Sequence, residues 1–317
     1  MSHATDSKGK TGGAKFSGIA SFFNLPQATE LSDIDIGLTG VPFDLGVTNR
    51  AGARHGPREI RNQSTLIRGY NQLLDIAPVE LCSIADIGDC PLKHLYHLEQ
   101  GHADIQSFYE EIHKARIIPL TAGGDHSITL PIFRALGKDR PLGMVHFDAH
   151  CDTADDIADS KFHHGAPFKI AAEEGLLDPL RTIQIGIRGS LSEKRTWQFS
   201  HDSGMRVVYM DEFYDKGYRS IMEEARKIVG NGPTYISFDV DGLDPVYTPG
   251  TGTPEIGGFT TLEAQMMLRS LRGLNLVGGD VVEVAPPFDP SGNTALVGAS
   301  MMFEILCLLA DAVASRK

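Results

Sequence analysis

The sequence predicts an α/β fold: a mostly parallel central sheet with helices packed on both of its faces. Three observations carry that reading. Continuous apolar runs recur along the chain, as strands buried on both faces require. Segments with helical spacing alternate with those runs, the pattern of parallel strands joined by covering helices. Glycine is abundant, at 34 of 317 residues, and supplies the tight turns such a fold needs between strand and helix. No linker, repeat or composition break interrupts the pattern, so residues 17–317 read as a single domain behind a polar arm, residues 1–16, predicted to be disordered.

Taken in order, Ile34–Val41 is the first strand and leads into a Gly- and Arg-rich loop with Asp44, Asn49, Arg50, Arg54 and His55. That loop reads equally as structural connection or pocket wall, and Pro57 suits the first turn of the helix after it. Leu81–Ile87 is a strand, residues 95–114 have helical spacing, and Ile117–Leu120 resumes the sheet. Its exit reads TAGGDHSIT, where two glycines permit a tight turn and His126 precedes a helix beginning near Thr129. A lone histidine there is more often structural; the DAHCD cluster downstream raises its weight. Pro141–Asp152, PLGMVHFDAHCD, begins as a buried strand and places Asp148, His150 and Asp152 at every second position. On an extended segment those three side chains project together, at the carboxyl edge where open α/β sheets bind ligands. Two anions side by side are costly to bury unless a cation neutralises them.

An irregular acidic stretch comes next, with Asp155, Asp156 and Asp159 and a His163–His164–Gly165 turn that offers another imidazole. Arg181–Arg188 and Arg206–Met210 are strands, separated by a polar loop holding Trp197, and Ser220–Val229 is an amphipathic helix. Thr234–Pro245, TYISFDVDGLDP, repeats the earlier logic with Asp239 and Asp241, while Asp244 falls off phase and caps the next turn. After a turn-rich loop, Leu276–Val284 is a buried strand that carries Glu283 at its end. A carboxylate there is either salt-bridged or part of the site, and the site is the preferred reading. Ala295–Ala314, interrupted by Glu304 and Asp311, reads as a core-facing final helix and not a membrane span.

The formal charge is −12, from 41 acidic against 29 basic residues, which argues against a nucleic-acid surface and suits a cationic small substrate or plain solubility. Four cysteines without CxxC spacing argue against a disulfide framework or structural zinc site and favour a reducing compartment. The polar N-terminus lacks the apolar core of a signal peptide, so a soluble, cytoplasmic protein without membrane partners is expected.

His126, Asp148, His150, Asp152, Asp239 and Asp241 supply four carboxylates and two imidazoles at strand ends. That exceeds the three protein ligands of a catalytic zinc and fits two divalent ions sharing carboxylates. Oxygen donors mixed with imidazole suit Mn²⁺, with Ni²⁺ or Co²⁺ as alternatives.

GGDH (Gly123–His126), DAHCD (Asp148–Asp152), HHG (His163–Gly165), SFDVDGLDP (Ser237–Pro245) and GTGTPEIGG (Gly250–Gly258) together resemble the ureohydrolase family of arginases, agmatinases and guanidino-acid hydrolases, over nearly the whole chain. The resemblance implies a three-layer αβα fold, a binuclear manganese (sometimes nickel) centre, and a hexamer or trimer. By position it implies His126 and Asp152 on one metal, His150 and Asp241 on the other, and Asp148 and Asp239 bridging them. It also implies a proton shuttle at His164 and a guanidinium anchor at Glu283. The implied reaction is hydrolysis of a C–N bond in a guanidino compound, giving urea and an amine.

Two departures bear on the substrate. Cys151 stands where agmatinases carry serine or threonine, with a side chain expected to point away from the metals. TADDIADSK does not match the arginase stretch that binds an α-amino acid, so arginine is disfavoured. Agmatine ranks first, guanidinobutyrate and guanidinopropionate next, and the dimethylbiguanides of metformin hydrolases third. Asp155 would attract a cationic tail, Arg50, Arg54 or Arg195 a carboxylate, and Phe162 or Trp197 would wall an apolar one. Metformin hydrolases pair a catalytic subunit with a metal-deficient one, so a hetero-oligomer with a paralogous chain stays open. A one-zinc deacetylase and an inactive assembly subunit are the competing classes; the first lacks the GGDH histidine and the second should have lost ligands.

Overall fold

The computed structural model of the chain describes residues 17–316, so the arm expected over 1–16 lies outside the described residues. Eight strands form one sheet: β1 (Ile36–Val41), β2 (Ile84–Asp89), β3 (Ile118–Gly123), β4 (Leu142–Phe147), β5 (Leu177–Ile187), β6 (Arg206–Tyr209), β7 (Thr234–Asp239) and β8 (Leu276–Val282). Their order is β2-β1-β3-β8-β7-β4-β5-β6. Every pairing between these strands is parallel, so the sheet expected to be mostly parallel is wholly so.

Alternate strand residues enter two separate cores. Val145, Phe147, Ile236, Phe238 and Val281 face one, with Ile60 of the helix Gly56–Ser64, Met267 of Thr261–Arg269 and much of Asn293–Ala314. Met144, Tyr235 and Val282 face the other, with Ile105 and Tyr109 of Leu98–Lys114, Phe133 of Thr129–Leu136 and Phe168 of Pro167–Glu173. These are the three αβα layers, and both faces of the sheet are dry because both are covered. The strand expected over Leu81–Ile87 starts later, since Leu81 ends a short helix, Pro78–Leu81.

The final helix, Asn293–Ala314, is long and apolar enough to cross a membrane, yet most of it is buried in the first core. Its two acids are matched rather than exposed to lipid. Glu304 accepts from Arg269 Nε at 3.0 Å and from Asn71 Nδ2 at 2.8 Å, and Asp311 pairs with Arg272 at 2.8 Å.

The strand order breaks at the centre of the sheet. β3 and β4 are consecutive in sequence, but β8 and β7 lie between them. In open parallel sheets the crevice outside the carboxyl ends of such strands is where ligands bind. Gly124 turns the chain out of β3 at φ 39°, where a Cβ would stand 2.5 Å from the Val41 carbonyl oxygen, so only glycine fits.

Candidate active site

The four central strands each deliver chemistry to that crevice. His126 comes after β3 in the turn His126–Ile128, and Asp148, His150 and Asp152 come after β4. Asp239 is the last residue of β7, Asp241 lies in the turn Val240–Gly242, and Glu283 stands just beyond β8.

The convergence does not come from strand pleating, as the every-second-residue spacing suggested. β4 ends at Phe147, before the cluster begins, and Asp152 has a left-handed φ of 52°. Both clusters use the same local device instead. Asp148 Oδ1 accepts the His150 N–H at 2.6 Å, and Asp239 Oδ1 accepts the Asp241 N–H at 2.7 Å. An aspartate bonded to the amide two residues on makes a compact turn, and each carboxylate thereby folds its own neighbour into the site.

Around His126 Nδ1 stand Asp148 Oδ2 at 3.1 Å, Asp152 Oδ2 at 2.9 Å and Asp239 Oδ2 at 3.2 Å. Around His150 Nδ1 stand Asp241 Oδ2 at 3.1 Å and Asp148 Oδ1 at 3.4 Å. Asp148 therefore spans both groups, one oxygen facing each histidine. Two sets of donor atoms lie close enough to share an ion: His126, His146, Asp148 and Asp152, and Asp148, His150 and Asp241.

The chemistry of the donors fits cations. Ser237 Oγ donates to Asp280 Oδ1 at 2.8 Å, so it accepts from His126 Nε2, also at 2.8 Å. That leaves His126 Nδ1 turned toward three carboxylates with no hydrogen-bond partner among the described residues. Without a metal a second proton must take the cation's place. Burial opposes charging this ring, but Asp148, Asp152 and Asp239 prevail and hold its pKa well above the ordinary value. Crowding also shows on the acids: burial, then the carboxylates of Asp241 and Asp148, push Asp239 well above the carboxylate range. Burial and Asp148 raise Asp241 to about 6. Asp148 moves the other way; burial opposes its charge, yet His146, His126 and His150 hold it well below.

Beside the cluster lies a carboxylate with one open oxygen. Glu283 sits at φ 64°, and its Oε1 accepts the His126 N–H at 2.9 Å and meets His164 Nδ1 at 2.9 Å. Its Oε2 is buried without a hydrogen-bond partner among the described residues, and a Cβ on Gly252 would approach it to 3.4 Å. His164 Nε2 lies 3.3 Å from the Thr48 amide nitrogen and 2.9 Å from Thr48 Oγ1. Burial disfavours charge on His164, but Glu283, with Asp152 and Asp125, raises its pKa to about 9. The Gly46 N–H bonds Asp125 at 2.8 Å and the Gly46 carbonyl takes the His164 N–H at 2.9 Å, so the loop after β1 is fastened to the HHG turn and forms a wall of the site.

The residues expected to read the substrate's tail divide. Trp197 is buried with Cys151, Ile187 and Val207, and its ring lies 6.3 Å from that of His150. Cys151 sits in that apolar cluster, and burial holds its thiol pKa well above the usual value, in line with a packing role. Arg54 is paired with Asp44, which also takes the Gly52 N–H at 2.9 Å. Asp155 is 91% exposed and ion-paired with Lys169 Nζ at 2.6 Å. Four polar residues beneath the cluster do not stand out in the sequence: His146, Gln184, Ser237 and Asp280. A signal for two of them exists, since His146 and Ser237 stand two positions before Asp148 and Asp239 and continue the same phase back into the strands.

Comparison with known proteins agrees with this architecture. The sequence profile of the Arginase family matches residues 34–308. A guanidinopropionase of Pseudomonas aeruginosa is 56% identical over 301 residues, covering 95% of this chain and 94% of that protein. A mitochondrial agmatinase of Gallus gallus is 47% identical over 293 residues, covering 92% and 86%. Among solved structures, a proclavaminate amidino hydrolase from Streptomyces clavuligerus superposes with a TM-score of 0.91 at 36% identity, covering 95% of this chain and all of that one. A profile match across most of the chain, and relatives this similar over nearly their full lengths, establish that this chain belongs to the arginase family.

Proposed function

We propose that this chain hydrolyses a guanidino compound to urea and an amine at a pair of divalent ions, with a short guanidino acid such as 3-guanidinopropionate as its preferred substrate. The observation that carries the reaction is the open Oε2 of Glu283, an unpartnered buried carboxylate oxygen beside a six-donor cluster. His126 and Asp152 would hold one ion, His150 and Asp241 the other, and Asp148 and Asp239 would be shared. When bound, such a pair lowers the pKa of a water near neutrality and so supplies the nucleophile that a charge-delocalised guanidinium carbon demands. Glu283 Oε2 takes guanidinium N–H groups in a charge-assisted bond, which orients the carbon toward the cluster. His164, protonated below its pKa of about 9, carries on Nδ1 the proton that the leaving amine requires.

The substrate order rests on similarity and on one pairing. The relative named guanidinopropionase is 56% identical, against 47% for the one named agmatinase. Asp155, the residue that favoured a cationic tail, already spends its charge on Lys169. Manganese, with nickel as the alternative, suits the oxygen-rich donor set. Urea release from 3-guanidinopropionate, 4-guanidinobutyrate, agmatine and dimethylbiguanide, each with Mn²⁺ and with Ni²⁺, tests both parts. No urea from any of the four refutes the reaction; a higher kcat/KM for agmatine refutes the order.

A further inference from the structure

One layer below the cluster, a row of buried polar residues crosses the sheet. In the strand registers Thr121 of β3 stands opposite Asp280 of β8, Asp280 opposite Ser237 of β7, Ser237 opposite His146 of β4, and His146 opposite Gln184 of β5. All five are fully buried. A polar row through a core survives only if its members satisfy one another, so its hydrogen-bond directions are constrained. His146 is the ambiguous member, because its nitrogen lies with His126, Asp148 and Asp152 in a group able to hold an ion.

The directions resolve it. Gln184 Nε2 lies 2.5 Å from the Cys151 carbonyl oxygen, which accepts only, so this atom is the amide nitrogen and not its oxygen. The opposite flip would set two oxygens against each other; the orientation is kept although Gln184 Oε1 is left buried without a partner among the described residues. The second hydrogen on Nε2 points to His146 Nδ1 at 3.2 Å, which makes Nδ1 the acceptor. The proton of the neutral ring is then on Nε2, 2.8 Å from Asp148 Oδ2. A nitrogen that carries its proton has no lone pair for a metal. Phe168, 4.6 Å away, packs edge-on against the ring and holds it in place.

We infer that His146, locked by Gln184, is a positioning residue that aims the shared carboxylate of Asp148 and is not a metal ligand. This rests on the binuclear centre proposed above. Metal-stripped wild type, His146→Phe, Gln184→Met and the double variant are titrated with Mn²⁺ by calorimetry, and metal content is measured at saturation. Wild type takes up two ions per chain. His146→Phe still takes up two, with affinity weaker by roughly 10–100-fold, the usual worth of a group that orients a ligand. Gln184→Met falls between, and the double variant is no weaker than His146→Phe, because Gln184 acts through His146. Loss of one whole ion in His146→Phe makes His146 a ligand and overturns the inference, as does unchanged affinity. Additive losses in the double variant overturn the route through Gln184. If His146→Phe does not fold, Gln184→Met decides alone, and unchanged affinity there is fatal. A wild type that binds no Mn²⁺ refutes the metal centre itself, a result distinct from all of these.

Discussion

At the scale of single residues, Asp148 and Asp239 differ from the other donors in how many neighbours they serve. Asp148 faces both histidines, and Asp239 faces His126 while shaping the turn that carries Asp241. Asp148→Ala and Asp239→Ala are therefore each expected to empty both metal positions, as measured by metal content after dialysis; a variant that keeps two ions and full activity would defeat the assignment. Protonation supplies a second test. His126 and His150 both have pKa values held well above normal: burial opposes their charge, but the facing aspartates outweigh it. A cation entering the site must displace those protons, so metal uptake at pH 7 should release protons and tighten as pH rises. Calorimetry in buffers of different ionisation enthalpy reads the proton count directly. Among the described residues the His164 side chain bonds Glu283 and Thr48 and no donor of the cluster. His164→Ala should keep its metals and lose roughly 10²–10⁴-fold in rate. In wild type the rate should fall as pH climbs through about 9, where His164 loses its proton.

At the scale of elements, the strands carry the cluster and the loops wall it. The loop after β1 is pinned by Asp125 to Gly46 and by Asp44 to Gly52 and Arg54. Arg54 thus braces the wall, and Arg54→Ala is expected to weaken every guanidino substrate by a similar factor. Asp155→Asn should leave the ranking of substrates unchanged, since Lys169 already answers that carboxylate and water surrounds it. Ratios of kcat/KM for agmatine, 3-guanidinopropionate and 4-guanidinobutyrate are the measurement, and a reversed order in Asp155→Asn would restore it as the reader of a cationic tail.

At the scale of the molecule, the final helix ties the sheet to its cover. Glu304 is buried and answers both Arg269 and Asn71, from two other segments of the chain. Glu304→Ala strands a guanidinium and an amide in the core, and breaking a buried pair in this way costs about 3 kcal/mol or more. Urea unfolding of the metal-free protein should show the loss as a lower midpoint with an unchanged slope. An unchanged midpoint would mean that Arg269 finds water or another acceptor.

The strands and the acidic, His-bearing clusters at their ends were legible in the sequence because each depends on local pattern. A strand covered on both faces must be apolar throughout, so Val145, Phe147, Ile236 and Phe238 announce their elements whatever packs on them. The carboxylates stand out because nothing local compensates them. Other features were set by segments distant in sequence. The spacing of Asp148, His150 and Asp152 imitates a strand, yet the Asp148 carboxylate captures the amide of His150 and ends the ladder first. Asp155 and Arg54 look like free charges until Lys169 and Asp44 are brought beside them. His146, Gln184, Ser237 and Asp280 look like ordinary strand residues until the register sets them side by side. Sequence by itself determined which residues had to be buried and which charges needed a cation, since burial and desolvation act on each side chain where it stands. Only the tertiary structure decided which proton each imidazole keeps, which oxygen of Glu283 stays open and which charges are already matched, because a hydrogen bond's direction is fixed by its partner.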